Sequence, residues 1–513
     1  MTLARAWSVA LVGVSGHLVE VEAHLANGLP GVHLIGLPDT ALNEARDRVR
    51  AAIVNSGEVW PQRRMTIGLS PATLRKSGSA YDLAVAASIL AAAGVVPTTS
   101  LAGLVLLGEL GLDGRVRAVR GVLPAVLAAS RAGVERVVVP AANAAEAALV
   151  PGMQVTGVRH LAALLRWLRG EATAEDEVII DPAPASSVPD ADGVDLRDVL
   201  GQSVARRAIE VAAAGAHHLF LLGPPGAGKT MLIDRLPGLL PALDRESALE
   251  VTAVHSVAGV LPSESALLTR PPYRSPHHSS TVPALLGGGS GIPRPGAVSL
   301  AHRGVLFLDE APEFSARLLD GLRQPLESGE ITISRADGSA TYPARFLLAL
   351  AANPCQCVRT TGEPGGCTCT PRARRRYIGK LSGPLLDRVD IQVQVFALGR
   401  GAYLDADQVE DTATVAARVA EARQATAARL AGTPWRVSSD VPGPELRLRW
   451  AIAPRLLRGL DTQHANGRIS ARGRDRVHRL AWTIADLSGH GSPTSDDVEE
   501  AMLLRGASAQ VAA

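Results

Sequence analysis

Apolar residues along the chain fall into short alternating runs and longer helical stretches, and their arrangement changes character twice. In the first part, residues 17–24 and 31–35 alternate with the period of two that suits half-buried strands, while residues 40–55 carry the spacing of an Ala-rich helix. The most apolar stretch, residues 83–96, is shorter than the roughly 20 residues a membrane span needs and reads as a buried helix. This mixture predicts one α+β domain over residues 1–170. From Glu171 to Asp192 the composition turns to Pro, Ala, Ser and acidic residues without periodic hydrophobicity, so residues 171–193 are expected to be a linker.

Beyond the linker, residues 194–214 have helical spacing, Gly215 is placed to end the helix, and residues 218–222 form an apolar strand running into Gly223. Two more apolar strands are expected, at residues 304–308 ending in Asp309 and at residues 345–350 ending near Asn353. Strands separated by helices predict a parallel α/β core over residues 194–400. From about Asp405 the pattern is helical, punctuated near Gly432, Pro442 and Gly467, which predicts an α-helical lid over residues 401–513. No repeat at solenoid periods is found. A chain of 513 residues is long for one core, and a prior of about 150 residues per domain fits this multidomain α/β division.

Composition narrows the partners. Hydrophobic residues make up 47% and charged residues 20% of the chain, a globular balance, and with aromatics at 3% the cores must be mostly Val, Leu and Ala. The formal net charge of +2 gives no global field toward nucleic acid or anionic membrane, so any such site must be local. Near the N-terminus Gly13, Ser15, Gly16 and His17 interrupt what would be the apolar run of a secretory signal. A cytoplasmic location without membrane partners is expected.

The run Gly223-Pro224-Pro225-Gly226-Ala227-Gly228-Lys229-Thr230 fits the phosphate-loop pattern G-x4-G-K-[ST] at every position. Each position has a task in holding ATP·Mg²⁺. The glycines let backbone N–H groups curl around phosphate oxygens, the following helix offers its positive end, Lys229 reaches the β/γ-phosphates, and Thr230 coordinates Mg²⁺. Further on, Asp309 and Glu310 stand at the tip of an apolar strand, where such sheets carry their chemistry. Asp309 is expected to hold Mg²⁺ through its water shell, and Glu310 to polarise the attacking water.

With Asn353 in Ala351-Ala-Asn-Pro354 and Arg388 in Gly383-Pro-Leu-Leu-Asp-Arg-Val-Asp390, these motifs resemble the magnesium-chelatase-like AAA+ ATPases of the YifB/ComM family. The resemblance covers nearly the whole chain. It includes Asp198-Val-Leu-Gly-Gln202, Tyr273-Arg-Ser-Pro-His-His278, Gly287-Gly-Gly-Ser290, and Ser470-Ala-Arg472 with Thr483-Ile-Ala-Asp-Leu487. It implies that Asn353 senses the γ-phosphate, that Arg388 is a finger offered to a neighbouring subunit's ATP, and that Arg472 is a lid sensor on ATP of its own or an adjacent subunit. Such a protein would work as a ring, a homo-hexamer, translocating on single-stranded or branched DNA and promoting branch migration in recombination or natural transformation. A magnesium-chelatase-like remodeller of protein partners is the alternative.

Residues 331–335 alternate like a strand, residues 336–339 are turn material, and residues 341–346 return toward Asn353, which predicts a hairpin. Its place is similar to the pore hairpin of related AAA+ helicases, which makes Arg335 the candidate DNA contact; the alternative is an arginine that only solubilises the hairpin. All four cysteines, Cys355, Cys357, Cys367 and Cys369, lie in one window. Two close pairs suit a tetrahedral Zn²⁺, with reduced thiols or disulfides as alternatives. Arg372, Arg374, Arg375, Arg376 and Lys380 follow at once, available to phosphate or simply solvated.

Residues 1–170 also resemble the proteolytic domain of Lon, through Lys76-Ser-Gly-Ser-Ala-Tyr81, Gly108-Glu-Leu-Gly-Leu-Asp-Gly-Arg115 and Val137-Val-Val-Pro140. An ATP-dependent protease is therefore a third reading. Lon-type hydrolysis needs a serine activated by a lysine, and those two positions align with Ala80 and Ala125, so the domain is expected to be proteolytically inactive. Ser77 and Ser79 are nearby but displaced.

Overall fold

The computed structural model describes residues 3–36, 40–76, 78–171, 194–261, 267–289, 293–335, 338–357, 367, 369–396 and 409–506. The expected linker from residue 172, Ser77, Ser290, the hairpin-turn residues Ala336 and Asp337, and the start of the lid at 401–408 lie outside them.

The N-terminal part is built on a long hairpin, β1 (Leu3–Val12) and β2 (Ser15–Ala26), paired antiparallel from Leu3 opposite His24 to Val12 opposite Ser15. Val19, Val21, Ala23 and Leu25 of β2 are buried while their neighbours are not, the period-two pattern of a strand with one covered face. There follow β3 (Gly31–Ile35), α1 (Thr40–Asn55), β4 (Arg64–Ser70), α2 (Asp82–Ala92), β5 (Leu104–Leu106), α3 (Val122–Arg131), β6 (Arg136–Pro140) and β7 (Gln154–Val158). The strands form one mixed sheet in the order β3-β4-β2-β1-β5-β6-β7. Every residue of α2 is buried, which explains why its sequence shows no polar face.

The second part begins differently from the single helix expected over 194–214. A short 3₁₀ turn at Leu196–Asp198 is followed by α4 (Ser203–Gly215), with Gln202 left-handed at φ 54° between them. Asp195 accepts from the Arg197 N–H and the Asp198 carboxylate accepts from the Asp195 N–H, a reciprocal cap that stops the turn from extending. Then come β8 (Leu219–Leu222), α5 (Lys229–Leu239), α6 (Arg245–Ala258), β9 (Tyr273–Arg274), the two-residue strands β10 (Gly287–Gly288) and β11 (Arg294–Pro295), and β12 (Val305–Leu308). They are followed by α7 (Arg323–Ser328), the hairpin β13 (Glu330–Arg335) and β14 (Gly338–Pro343), β15 (Leu347–Ala352), α8 (Pro371–Ile378) and β16 (Ile391–Gln394). Strands β9-β12-β15-β8-β16 form a sheet in that order, each neighbouring pair parallel. β8, β12 and β15 are buried throughout, so their sequences are continuous apolar runs.

The lid helices α9 (Thr412–Arg429), α10 (Ala471–Leu487) and α11 (Ser495–Arg505) share one apolar cluster with α4, α5 and the sheet, through Val415, Val419, Val477 and Leu480 packed with Ala208, Leu232 and Leu219. The N-terminal part is bound to the core through α3 and α6. Leu123, Val126 and Ala129 share a cluster with Ala248 and Ala253, and the Ser256 hydroxyl donates to the buried Glu146 carboxylate, which also accepts from the Leu123 N–H at 2.9 Å. A side chain at Gly13, in the β1–β2 turn, would come within 2.5 Å of the Thr341 carbonyl on β14, so the turn lies directly against the second hairpin.

Two histidines of the core are held neutral. His218 Nδ1 accepts from the Leu348 N–H at 3.1 Å, and His255 Nε2 lies 3.0 Å from the Arg274 guanidinium, which can only donate to it. Burial pulls both imidazoles down to about 4. Unfolded, they titrate near 6.5. The folded chain therefore binds fewer protons between those values, and stability present above pH 6.5 is lost as pH falls toward 4, by about 3 kcal/mol at most for each. The melting temperature should fall over that window, and fall less in His218→Asn, which keeps an acceptor without titrating. A melting temperature that is flat from pH 7 to 4.5 would contradict this.

Candidate active site

The phosphate loop closes the gap between β8 and α5. Gly226 and Gly228 have φ of 75° and 87°, a conformation L side chains rarely adopt, and a side chain on Gly223 would strike the Val395 carbonyl at 2.2 Å. Gln202 Nε2 donates to the Ala227 carbonyl at 3.2 Å, tying the left-handed kink before α4 to the loop. Lys229 is buried, and its Nζ donates to the Gly223 and Pro224 carbonyls at 2.8 and 2.9 Å and to Asn353 Oδ1 at 2.9 Å. Burial pulls its ammonium below the usual value, while the Asp309 and Glu310 carboxylates push it back up.

Sheet order explains why these groups meet. β15 lies between β8 and β12, so Asn353 at its carboxyl end stands beside the loop, with the carboxylates of Asp309 and Glu310 one strand further on. Thr230 Oγ1 donates to Asp309 Oδ2 at 2.7 Å, which brings together the two groups suited to a shared Mg²⁺. Asp309 Oδ1 accepts from the Glu310 N–H at 2.8 Å, and Glu310 is left-handed at φ 49°. For a non-glycine residue that conformation costs about 1–2 kcal/mol, and such strain concentrates at functional sites. His278 Nδ1 lies 3.7 Å from the Glu310 carboxylate and its ring meets Phe314 edge-on, so this histidine borders the site. Tyr273 donates to Asp234 at 2.7 Å, which fixes the edge strand β9 to α5.

Arg388 and Arg472 are elsewhere. Both line a cleft of about 620 Å³ that also takes in His218, Gly304, Leu347 and Asp390, the residues at the amino ends of the parallel strands. The cleft is thus at the opposite end of the sheet from the phosphate loop, a strand length of roughly 13 Å or more away. Arg388 pairs with Glu327 at the end of α7, donates to the Pro384 carbonyl at 2.6 Å, and has a buried Nε without a partner among the described residues. The loop carrying it is held by the lid: Arg476 pairs with Asp390, Arg505 donates to the Val389 carbonyl, and Arg472 lies 3.6 Å from Asp387.

Arg335 ends β13, exposed, with its guanidinium 2.9 Å from where a side chain on Gly288 would begin, so the hairpin β13–β14 touches the small hairpin β10–β11. The four cysteine Sγ atoms all lie within 4.8 Å of one another, with Cys355–Cys357 at 3.0 Å, Cys357–Cys367 at 3.3 Å and Cys355–Cys367 at 3.4 Å. These spacings are too long for the roughly 2.05 Å of a disulfide and close to the ~3.8 Å edge of a tetrahedron with Zn–S of about 2.3 Å. The donor set fits Zn²⁺. In the N-terminal part Ala80 and Ala125 line one cavity of about 340 Å³, closed on the core side by Arg294 and Tyr342. Ser79 donates to Glu109, whereas the buried Lys76 donates to the Leu69 carbonyl at 3.0 Å and to that of Pro71, so serine and lysine face different partners.

Sequence reasoning missed the Gln202 contact, His278, Glu327 and the lid arginines Arg476 and Arg505. Only Gln202 and His278 stood in motifs already singled out; the others carry no local signal.

A phosphate loop and a carboxylate pair at the carboxyl ends of a parallel sheet, with a helical lid behind, define an AAA+ ATPase. The chain belongs to the magnesium-chelatase-like YifB/ComM family. The family model for magnesium chelatase, subunit ChlI, matches residues 195–402, that for the ChlI C-terminal region residues 409–505, and that for subunit ChlI of Mg-chelatase residues 21–143. An uncharacterised protein of Mycobacterium tuberculosis is 55% identical over 505 residues, covering 98% of this chain and 99% of the relative. YifB of Escherichia coli is 39% identical over 98% of this chain and 97% of its own length, and the competence protein ComM of Haemophilus influenzae is 39% identical with the same coverage. Lon protease 2 of Bacillus subtilis is 28% identical over 148 residues, 27% of this chain and 26% of its own length, a partial likeness that fits a multidomain α/β fold. Family membership implies use of ATP and Mg²⁺. No helix among the described residues is long and apolar enough to cross a membrane.

Proposed function

We propose that this chain is an ATP-driven ring motor, a homo-hexamer, that moves on single-stranded or branched DNA and promotes branch migration in recombination or natural transformation. The observation that carries the ring is the division of the site. Lys229, Thr230, Asp309, Glu310 and Asn353 meet at the carboxyl ends of the strands, whereas Arg388 and Arg472 open from the amino ends. A single subunit therefore has a nucleotide pocket without an arginine finger, and a finger without a pocket. Head-to-tail packing of copies joins the two, and such packing forms a ring when the rotation from copy to copy closes.

Within that ring Lys229 neutralises phosphate charge and Asn353 holds the γ-phosphate in place. Thr230 and Asp309 hold Mg²⁺, which when bound offsets the negative charge of the phosphates. Glu310 accepts a proton from the attacking water, while Arg388 and Arg472 of the next subunit stabilise charge that develops on the transferred group. The N-terminal part acts as a proteolytically inactive scaffold, since Ala80 and Ala125 offer neither nucleophile nor base, and its β1–β2 turn braces the hairpin that carries Arg335.

DNA as the substrate is supported by the name of the competence protein from Haemophilus influenzae and by the exposed Arg335 at the end of β13. ATP hydrolysis by the purified protein should rise in the presence of single-stranded or branched DNA. Arg335→Ala should weaken DNA binding severalfold with basal hydrolysis intact, because a phosphate contact adds affinity without touching the pocket. Basal hydrolysis indifferent to every DNA form would instead favour a remodeller of protein partners.

The four cysteines hold one structural Zn²⁺ per chain in this reading. Metal analysis of the purified protein should find it, and Cys355→Ser should release it and lower the melting temperature, since binding energy at such a site is folding energy. A parent protein without zinc would overturn the assignment.

A further inference from the structure

We propose that the exposed face of α8 is a second nucleic-acid site, which takes the sugar-phosphate backbone of a single strand and is fixed in place by the four-cysteine cluster. The proposal rests on the DNA reading above and adds to it a site separate from Arg335.

The argument begins with charge. Arg372, Arg374, Arg375 and Arg376 lie within the eight residues of α8, and residues 371–376 are all exposed. None of the four side chains makes an ion pair or hydrogen bond among the described residues, although elsewhere in the chain arginines are paired repeatedly, as Arg418 is with Glu210 and Glu410. The arrangement is costly for the isolated helix. Arg372 stands at i,i+3 and i,i+4 to Arg375 and Arg376, and like charges at those spacings each destabilise by about 0.2–0.5 kcal/mol. Arginines in the first turn also meet the positive end of the helix dipole. In a chain whose net charge is only +2, this is a local concentration of positive charge that a polyanion would neutralise.

The second observation is that this helix is anchored at both ends. The Thr370 hydroxyl caps it by accepting from the Ala373 N–H at 3.2 Å, directly after Cys369 of the four-cysteine cluster, and Cys355 of the same cluster follows Asn353 by two residues. At the other end Tyr377 and Ile378 are buried in the apolar cluster that holds Leu308 and Ala352, the last residues of β12 and β15. Lys380, just beyond, lies 3.7 Å from the Glu313 carboxylate and 5.5 Å over the Tyr377 ring, and the Glu313 N–H donates to the Glu310 carbonyl at 2.7 Å. The helix thus connects to Asn353 on one side and to Glu310 on the other. Planar guanidinium groups clustered on one anchored helix suit a backbone of phosphates, which they contact without reading sequence. Strand bound on α8 would be felt at the hydrolysis site through these two anchors.

The test uses the full-length protein and an oligothymidylate strand, titrated at several salt concentrations. The parent, Arg335→Ala and the combined Arg372→Ala, Arg375→Ala, Arg376→Ala variant are compared, with basal ATP hydrolysis as the check on folding. The triple variant should bind more weakly, with a slope of log affinity against log salt shallower by about 2, because each lost contact to a single strand removes about 0.7. Its hydrolysis should no longer respond to the strand. The corresponding triple Lys variant should restore most of the slope. Binding equal to the parent's in the triple variant, while Arg335→Ala binds weakly, would overturn this site and leave the motor reading standing. A parent that binds no strand would remove the DNA reading itself. Loss of self-association in the triple variant with strand binding unchanged would assign the arginines to contacts between copies and likewise overturn the proposal.

Discussion

Glu310→Gln should lower ATP turnover by at least about 100-fold while ATP still binds, since a positioned general base contributes typically 10²- to 10⁴-fold. The substitution keeps size and hydrogen-bonding capacity but removes the group that takes a proton from water. Lys229, Thr230 and Asp309 are untouched, and their mutual contacts do not pass through the Glu310 side chain. Binding of a fluorescent ATP analogue and steady-state hydrolysis measure the two effects separately. Lys229→Ala provides the contrast. Its ammonium holds two loop carbonyls and Asn353 together, so its loss should remove nucleotide binding along with turnover. Turnover by Glu310→Gln equal to the parent's would assign the attacking water to another group, and His278, 3.7 Å from the Glu310 carboxylate, would be the first to examine.

What could be read from the sequence follows the range over which each feature is determined. The phosphate loop is contiguous, and its glycines, lysine and threonine state their purpose in eight residues. The strands carrying Asp309 and Asn353 were legible because a strand buried on both faces must be apolar throughout. Strand order was not legible. The 2.9 Å contact of Lys229 with Asn353, 124 residues apart, depends on β15 entering between β8 and β12, which no local pattern specifies. The two-residue strand β9 left no periodicity to find, and the break at Gln202 was hidden because α4 and the turn before it share helical spacing. The pairing of Arg388 with Glu327 was equally silent, because an acid on a short helix looks like any solvated one.

That pairing makes Arg388 the more demanding test. Arg388→Ala should lower hydrolysis by about 10³-fold or more with ATP binding retained, the range for an arginine finger. An arginine that merely braces α7 would give another pattern. Glu327 is 59% exposed, and the contribution of so solvated an ion pair is at most about 1 kcal/mol, so Glu327→Gln should be nearly silent in stability. If Arg388 acts only through Glu327, the two substitutions should have similar effects on hydrolysis. If it acts on the neighbour's ATP, Glu327→Gln should leave hydrolysis intact or raise it, because the finger is freed from its partner within the subunit. Mixing decides between a finger acting within its own subunit and one acting on the next. Lys229→Ala lacks a working pocket but keeps Arg388; Arg388→Ala keeps the pocket but lacks the finger. Each is nearly idle alone. In randomly mixed equal rings about one interface in four joins an intact pocket to an intact finger, so hydrolysis should recover toward roughly a quarter of the parent's. No recovery on mixing, with rings shown to exchange subunits, would place Arg388 outside the neighbouring site and remove the structural reason for a ring.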